Sequence, residues 1–173
     1  MKEQRFRTEV LPLKNELFRL ALRITLSHAE AEDIVQETMI RVWNRREQWD
    51  EIESIEAFCL TICRNLALDH QRRKDFQHAS LDDEHAALNV HPTVADTPEM
   101  QAVRHDQLRL VKALINELPE KQRTCVQLRD IEGHSYREIA AIMDIPEAQV
   151  KVNIFRARQA IKQRFIQDEQ YGL

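Results

Sequence analysis

Residues Ser135 to Arg164 read as a helix, a sharp break and a second helix, and this pattern restricts the possible folds more than any other part of the chain. Ser135 followed by Glu138 makes a capping box that opens the first helix. Ile139, Ala140 and Met143 give that helix an apolar stripe at helical spacing. Asp144, Ile145 and Pro146 end it, and Pro146 suits the first turn of a new helix, where its missing N–H has no partner to lose. At about 100° per residue, Val150, Ile154, Ala157, Ile161 and Phe165 fall on one face of the second helix. Lys151, Val152, Phe155, Arg156, Gln159, Lys162 and Gln163 fall on the other. Between Ile145 and Arg164, five basic residues (Lys151, Arg156, Arg158, Lys162 and Arg164) stand against one acid, Glu147.

A basic helix after a tight turn fits a helix-turn-helix, whose second helix enters the major groove. Arginine and lysine there neutralise phosphates or pair with guanine, and exposed Val152 and Phe155 can meet thymine methyls. The same residues fit a solvated basic face on a helical hairpin, and this stretch alone leaves both readings open.

Strands joined by tight turns need glycine, and the 173-residue chain has only Gly133 and Gly172, so the fold expected is all-α. The formal charge of −4 argues against a protein that coats nucleic acid by bulk electrostatics. A local basic helix remains compatible with it, but a free chain of this kind should bind DNA weakly unless something else supplies most of the affinity. Cys59 and Cys63 lie one helical turn apart among apolar neighbours, Cys125 stands alone, and no CxxC occurs, so packed thiols are expected. There is no secretory h-region and no apolar run of bilayer length, which predicts a cytoplasmic protein without membrane insertion.

Helical periodicity begins near Phe6 and runs to Leu26, with Pro12 expected to break or kink it near its start. Ser27 and Glu30 form a second capping box that opens a helix from His28 to about Arg45. Val35, Met39, Val42 and Trp43 share one side of that helix; Asp33, Glu37, Ile40, Arg41 and Asn44 share the other, with Gln36 at its margin. That second side suits docking to a basic partner, or is an ordinary solvated face. Glu47 to Glu56 reads as a loop, and Ser54 to about Arg73 as a helix with Ile55, Phe58, Cys59, Ile62 and Leu66 inward. Its later turns carry Arg64, Asn65, Asp69, Arg72 and Arg73, where basic groups serve either nucleic-acid contact or the helix dipole.

From Asp75 to about His105 the periodicity fades. Asp82, Asp83 and Glu84 cluster, Pro92 and Pro98 break helices, and His78, His85, His91 and His105 lack metal-ligand spacing. This predicts a linker, with a short helix possible after Thr97 and Pro98. A helix from Asp106 to Leu118 follows, with Leu108, Val111, Leu114 and Ile115 inward, and another from Pro119 that Gly133 ends. The organisation expected is a helical domain over 1–74, a linker over 75–105 and a four-helix domain over 106–173. There is no glycine-rich phosphate loop and no nucleophile with a partnered base. No enzyme activity, cofactor, metal or small-molecule substrate is therefore expected.

Two blocks carry a family resemblance: AEAEDIVQETMIRVW followed by AFCLTICRNLALDHQRR, and LPEKQRTCVQLRDIEGHSYREIAAIMDIPEAQVKVNIFRARQAIK. Together, in this order, they resemble a bacterial extracytoplasmic-function (ECF) sigma factor of the sigma-70 family. The resemblance implies a promoter-specificity subunit that binds core RNA polymerase, through its clamp helices and flap, together with promoter DNA. Asp33, Gln36 and Glu37 match the family's DxxQE pattern for the clamp helices, with Ile40 and Arg41 beside them. Arg64, Asn65, Asp69, Arg72 and Arg73, with the loop near Trp49 to Ile55, match the segment that captures an unstacked minus-ten base. Unstacking costs a few kcal/mol, so polar groups must wait in a pocket for the base. Asn65 suits that role because an amide both donates and accepts.

Lys151, Val152, Phe155 and Arg156 occupy positions expected at the minus-thirty-five base edges or adjacent phosphates, with Gln149 and Asn153 as possible backbone contacts. The family often has Gly-Thr-Val-Lys-Ser-Arg where this chain has Ala148-Gln149-Val150-Lys151-Val152-Asn153, which implies an altered sequence preference. Asp144 stands where glycine commonly ends the first helix of the motif, and so requires a left-handed or otherwise tolerant backbone. An anti-sigma protein that covers the polymerase-binding faces is a further implication of the resemblance. An independent duplex-binding regulator, which would choose its sites without polymerase, is the alternative.

Overall fold

The computed structural model describes residues 1–78 and 100–170, and these are helical without a strand among them. The linker residues Asp82, Asp83, Glu84, His85, His91, Pro92 and Pro98, and Gly172, lie outside the described residues, while the helix expected after Thr97 and Pro98 is present from Met100 and runs on into the one expected from Asp106.

The N-terminal half begins with α1 (Lys2–Arg5), a π turn (Phe6–Val10) and a 3-10 turn (Leu11–Leu13), which lead into α2 (Lys14–Thr25). Pro12 therefore does not end the helix. It sits in the 3-10 turn next to the π turn, a local change of winding that accommodates a residue without an N–H. Leu26 closes α2 in the left-handed region at φ 59°, an uncommon conformation for leucine that the sequence did not announce. Next come α3 (His28–Asn44), a 3-10 turn (Arg46–Glu51) and α4 (Ile55–His78). The Ser27 hydroxyl accepts from the Glu30 N–H, so this N-cap forms as expected.

The C-terminal half holds α5 (Met100–Asn116), α6 (Glu120–Val126), a π turn (Gln127–Ile131), α7 (Tyr136–Met143) and α8 (Glu147–Gln170). The flanking helices α4 and α5 thus extend into both ends of the stretch assigned to the linker. At 24 residues, α8 also continues past Arg164, to Gln170. Leu108, expected inside, is 58% exposed, because α5 joins the apolar contact with its neighbours only from Val111 onward.

Gly133 has φ +80° and terminates the helix as expected, with the Glu132 N–H bonded to the Gln127 carbonyl (3.1 Å) and the His134 N–H to Leu128 (2.9 Å). A Cβ at Gly133 would meet nothing within 4 Å, so the cost of Gly133→Ala is conformational alone. Loss of about 1 kcal/mol is expected, read as a lower urea midpoint at unchanged m-value.

The apolar core does not stop at the boundary between the halves. Leu17, Leu20, Ile24, Ile34, Leu60 and Cys63 from the first half join Cys125, Leu128, Ile139 and Ile142 from the second in one buried cluster. Ile115, Leu118, Val126 and Ala157 form a second cluster within the C-terminal half. The three cysteines are free and buried, and burial pushes the thiols of Cys59 and Cys63 up to about 12 and that of Cys125 to about 11. They pack as neutral apolar groups.

Candidate nucleic-acid interface

The helix-turn-helix is built from α7 and α8. The Ser135 hydroxyl caps α7 by accepting from the Glu138 N–H at 3.1 Å, and Ile139, Ile142 and Met143 are buried beneath it. Asp144 takes the left-handed conformation (φ 54°, ψ 49°) that the missing glycine demands, which turns the chain so that the Ile145 N–H reaches the Ala140 carbonyl at 3.1 Å. The Pro146 carbonyl then accepts from Gln149 and Val150, and α8 starts. Val150, Ile154 and Ala157 are buried, which fixes the opposite face of α8 toward solvent.

That outer face carries Lys151, Val152, Phe155 and Arg156, all exposed, with Phe155 at 62% and Val152 at 44%. Gln149 is exposed as well, while Asn153 is half-buried and donates its amide to the Gln149 carbonyl of its own helix at 2.9 Å. The basic residues of this helix differ in availability. Arg158 is held by a forked pair to Asp130 (3.0 and 2.5 Å) and Arg164 pairs with Glu117. The Lys151 ammonium lies 5.8 Å from the Tyr136 ring, whose face also receives the Arg129 guanidinium at 4.8 Å. Arg156 has no partner among the described residues, so its five donors are free for a phosphate or a guanine edge.

On α4, Asn65, Asp69, Arg72 and Arg73 are exposed, with Arg72 and Asp69 in a loose pair at 3.8 Å. Arg64 departs from this group. It is only 7% exposed and points into the seam between the halves, with Nη2 3.4 Å from the Glu120 carboxylate and Nη1 3.5 Å from the Met143 carbonyl. In this closed arrangement it cannot touch DNA, and sequence periodicity gave no warning because its partners lie 56 and 79 residues away. Trp49 and Ile55, at the ends of the associated loop, are buried too.

On the outer face of α3, Asp33, Gln36, Ile40 and Arg41 are exposed, and half-buried Glu37 pairs with Arg41 at 2.7 Å. Ile40 is 59% exposed, an apolar side chain set among polar ones.

A group that sequence reading missed lies at the seam. Arg19 forks onto Glu132 (2.6 and 2.8 Å), and Arg23 donates to Gln127 and Asn116 (2.8 Å each). His134 is bonded through Nε2 to Glu16 (2.5 Å) and through Nδ1 to Glu138 (2.8 Å), with Glu56 4.0 Å away. Glu16, Glu56 and His134 are side chains of metal-ligating type, but both ring nitrogens already engage carboxylates, so the group reads as an ion-pair cluster around a buried histidine.

An all-helical chain with a helix-turn-helix at its C-terminal end and a separate exposed polar face on an N-terminal helix is the arrangement of a sigma-70-type transcription factor. Residues 10–77 match the family model for sigma-70 region 2, and residues 108–161 match that for sigma-70 region 4. The ECF RNA polymerase sigma-E factor of Haemophilus influenzae is 31% identical over 144 residues, spanning 80% of this chain and 76% of that protein. SigW of Bacillus subtilis, also an ECF sigma factor, is 30% identical over 156 residues, spanning 87% of this chain and 83% of the relative. The chain belongs to the ECF RNA polymerase sigma factors. Its fold matches that of RpoE from Bartonella quintana, solved in complex with the anti-sigma factor NepR, with a TM-score of 0.76 at 24% identity over 91% of this chain and 94% of that one.

Proposed function

We propose that this sigma factor grips promoter DNA at two separate places and becomes selective only when core RNA polymerase holds both. Residues 1–74 are assigned to polymerase docking and the minus-ten element, residues 106–173 to the minus-thirty-five element, and residues 75–105 to the connection. The exposed outer face of α8, with Val152, Phe155 and Lys151 beside Arg156, which has no partner among the described residues, is the observation that carries the reading. Asn65, Asp69, Arg72 and Arg73 are assigned to the minus-ten strand, and Asp33, Gln36, Glu37, Ile40 and Arg41 to the clamp helices. These are binding roles, and none is catalytic. The free chain has little net positive charge, so it should bind promoters poorly. Two weak grips joined on polymerase multiply through effective concentration. Control by an anti-sigma protein in the cytoplasm completes the reading, supported by a solved protein of this fold captured with an anti-sigma factor.

In vitro transcription with core polymerase and this chain, with sequencing of the transcript starts, tests the proposal. A shared pair of upstream elements is the expected result. Tight, specific duplex binding by the chain alone would favour the independent regulator instead. On the elements so defined, Arg156→Ala should cost about 1–3 kcal/mol of discrimination and relax preference at one position of the upstream element. An unchanged profile would remove Arg156 from the recognition surface.

A further inference from the structure

We propose that the seam between the two halves is an autoinhibitory clasp, in which Glu16 and Arg19 of α2 hold His134 and Glu132 of the turn before α7 and keep the free chain shut. The inhibitory part rests on the promoter reading above. The two promoter elements named in it lie about 25 base pairs apart, on the order of 80 Å at ~3.4 Å per pair. A chain whose halves share one core cannot span that distance, whereas the 21 residues between His78 and Met100 reach at most about 75 Å when extended. Closure also withdraws Arg64 from the α4 face that bears Asn65 and Asp69.

Beside its apolar surface the seam carries a charged share, and that share favours reversibility. A permanent interface is dominated by apolar contact, and contacts between mobile domains are more polar. Here Arg23, Arg64 and Arg123 are all drawn into the contact: Arg64 reaches the Glu120 carboxylate only at 3.4 Å, and Arg23 and Arg123 donate to neutral amide and carbonyl oxygens. The Nε atoms of Arg64 and Arg123 are buried without hydrogen bonds. Burial, and then the nearness of Arg123, lowers the affinity of Arg23 for its proton. Under-satisfied buried charges oppose closure. The well-formed pairs at Glu132 and His134, together with the shared apolar surface, offset them.

His134 is the most enclosed member of these pairs. Its ring faces Glu16 from α2, Glu56 from α4 and Glu138 from α7, and the Arg129 guanidinium donates to its carbonyl at 2.9 Å. The hydrogen bond that Nε2–H donates to Glu16, opposed by burial and assisted by Glu138, raises its pKa to about 9. The folded value is the higher one, so the stabilisation is complete below the ordinary value near 6.5 and is lost as the pH rises through about 9. Above that, three carboxylates surround a neutral ring and the clasp loosens.

The test places a fluorophore pair on the full-length chain at Gln48→Cys and Gln167→Cys, both exposed, while the native thiols stay buried. Single-molecule energy transfer on the free chain at pH 7 should show one dominant short-distance population. Glu16→Gln combined with Arg19→Ala should raise the long-distance fraction at least tenfold at unchanged helical circular dichroism. Raising the pH from 7 to 10 should open the parent chain in the same way, which keeps the test decisive even if that double variant fails to fold. The double variant should also bind core polymerase at least threefold more tightly. A parent chain that is already open at pH 7, or distances that ignore both the substitutions and the pH, would overturn the clasp. Opening without tighter polymerase binding would overturn its inhibitory role. The distances are read without polymerase or promoter, so failure of the promoter reading leaves that measurement standing.

Discussion

Trp49→Ala is expected to remove about 3–5 kcal/mol of stability, the range for deleting a large aromatic side chain from a packed site. Trp49 is 1% exposed although it sits in the 3-10 turn between α3 and α4, in a segment whose sequence reads as polar loop. Its ring lies parallel to Phe6 (6.3 Å between centroids, 9°) and meets Trp43 edge-on (6.2 Å, 70°), and its Nε1–H donates to the Val42 carbonyl at 3.2 Å. The Arg5 guanidinium lies 5.9 Å from the ring, so this one side chain ties α1, the first π turn and the end of α3 together. Because domains are stable by only about 5–15 kcal/mol, the variant should melt roughly 10 °C lower in a circular-dichroism scan. Trp49→Phe keeps most of the ring contact and loses the hydrogen bond, so it should cost nearer 1 kcal/mol. Equal melting temperatures for parent and alanine variant would mean that the aromatic cluster does not anchor the N-terminal segment.

The features legible in the sequence are those whose cause lies within a few residues. Ser27 with Glu30 and Ser135 with Glu138 specify helix starts because cap and recipient are three positions apart. Gly133 and Asp144 specify left-handed stops because the turn constrains one residue at a time. The buried Val150, Ile154 and Ala157, and the exposed Val152 and Phe155, follow from the period of a single helix. The outer face of α3 was readable for the same reason.

The seam was not legible. His134 meets Glu16 across 118 positions and Arg19 meets Glu132 across 113, and no local period encodes such a pairing. The covering of Arg64 was illegible in consequence: its spacing on α4 matches the neighbours assigned to DNA, and only packing of α4 against α7 reveals that it is covered in this arrangement. The same limit explains Trp49. A lone indole in a polar stretch has no periodicity to declare it buried, and its partners come from α3 and the N-terminal turns.

Reversing two charges on α3, Asp33→Arg with Glu37→Arg, is expected to weaken binding to core polymerase at least a hundredfold, on the order of 3 kcal/mol. The premise is the assignment of this face to the clamp helices, where acidic side chains would meet a basic partner. Like charges brought together at an interface cost several kcal/mol, which exceeds what deleting the same contacts would remove. The fold should tolerate the change, since Asp33 is exposed and Glu37 contributes only an exposed pair with Arg41, a contact worth a few tenths of a kcal/mol. Affinity measured by fluorescence anisotropy with labelled chain, beside a thermal melt, separates docking from folding. A double variant that melts normally and binds with parental affinity would move the docking site off α3. Exposed Ile40 then provides an independent reading of the same face: Ile40→Ala changes no charge, so its loss of affinity should persist at high salt, where the electrostatic share is screened.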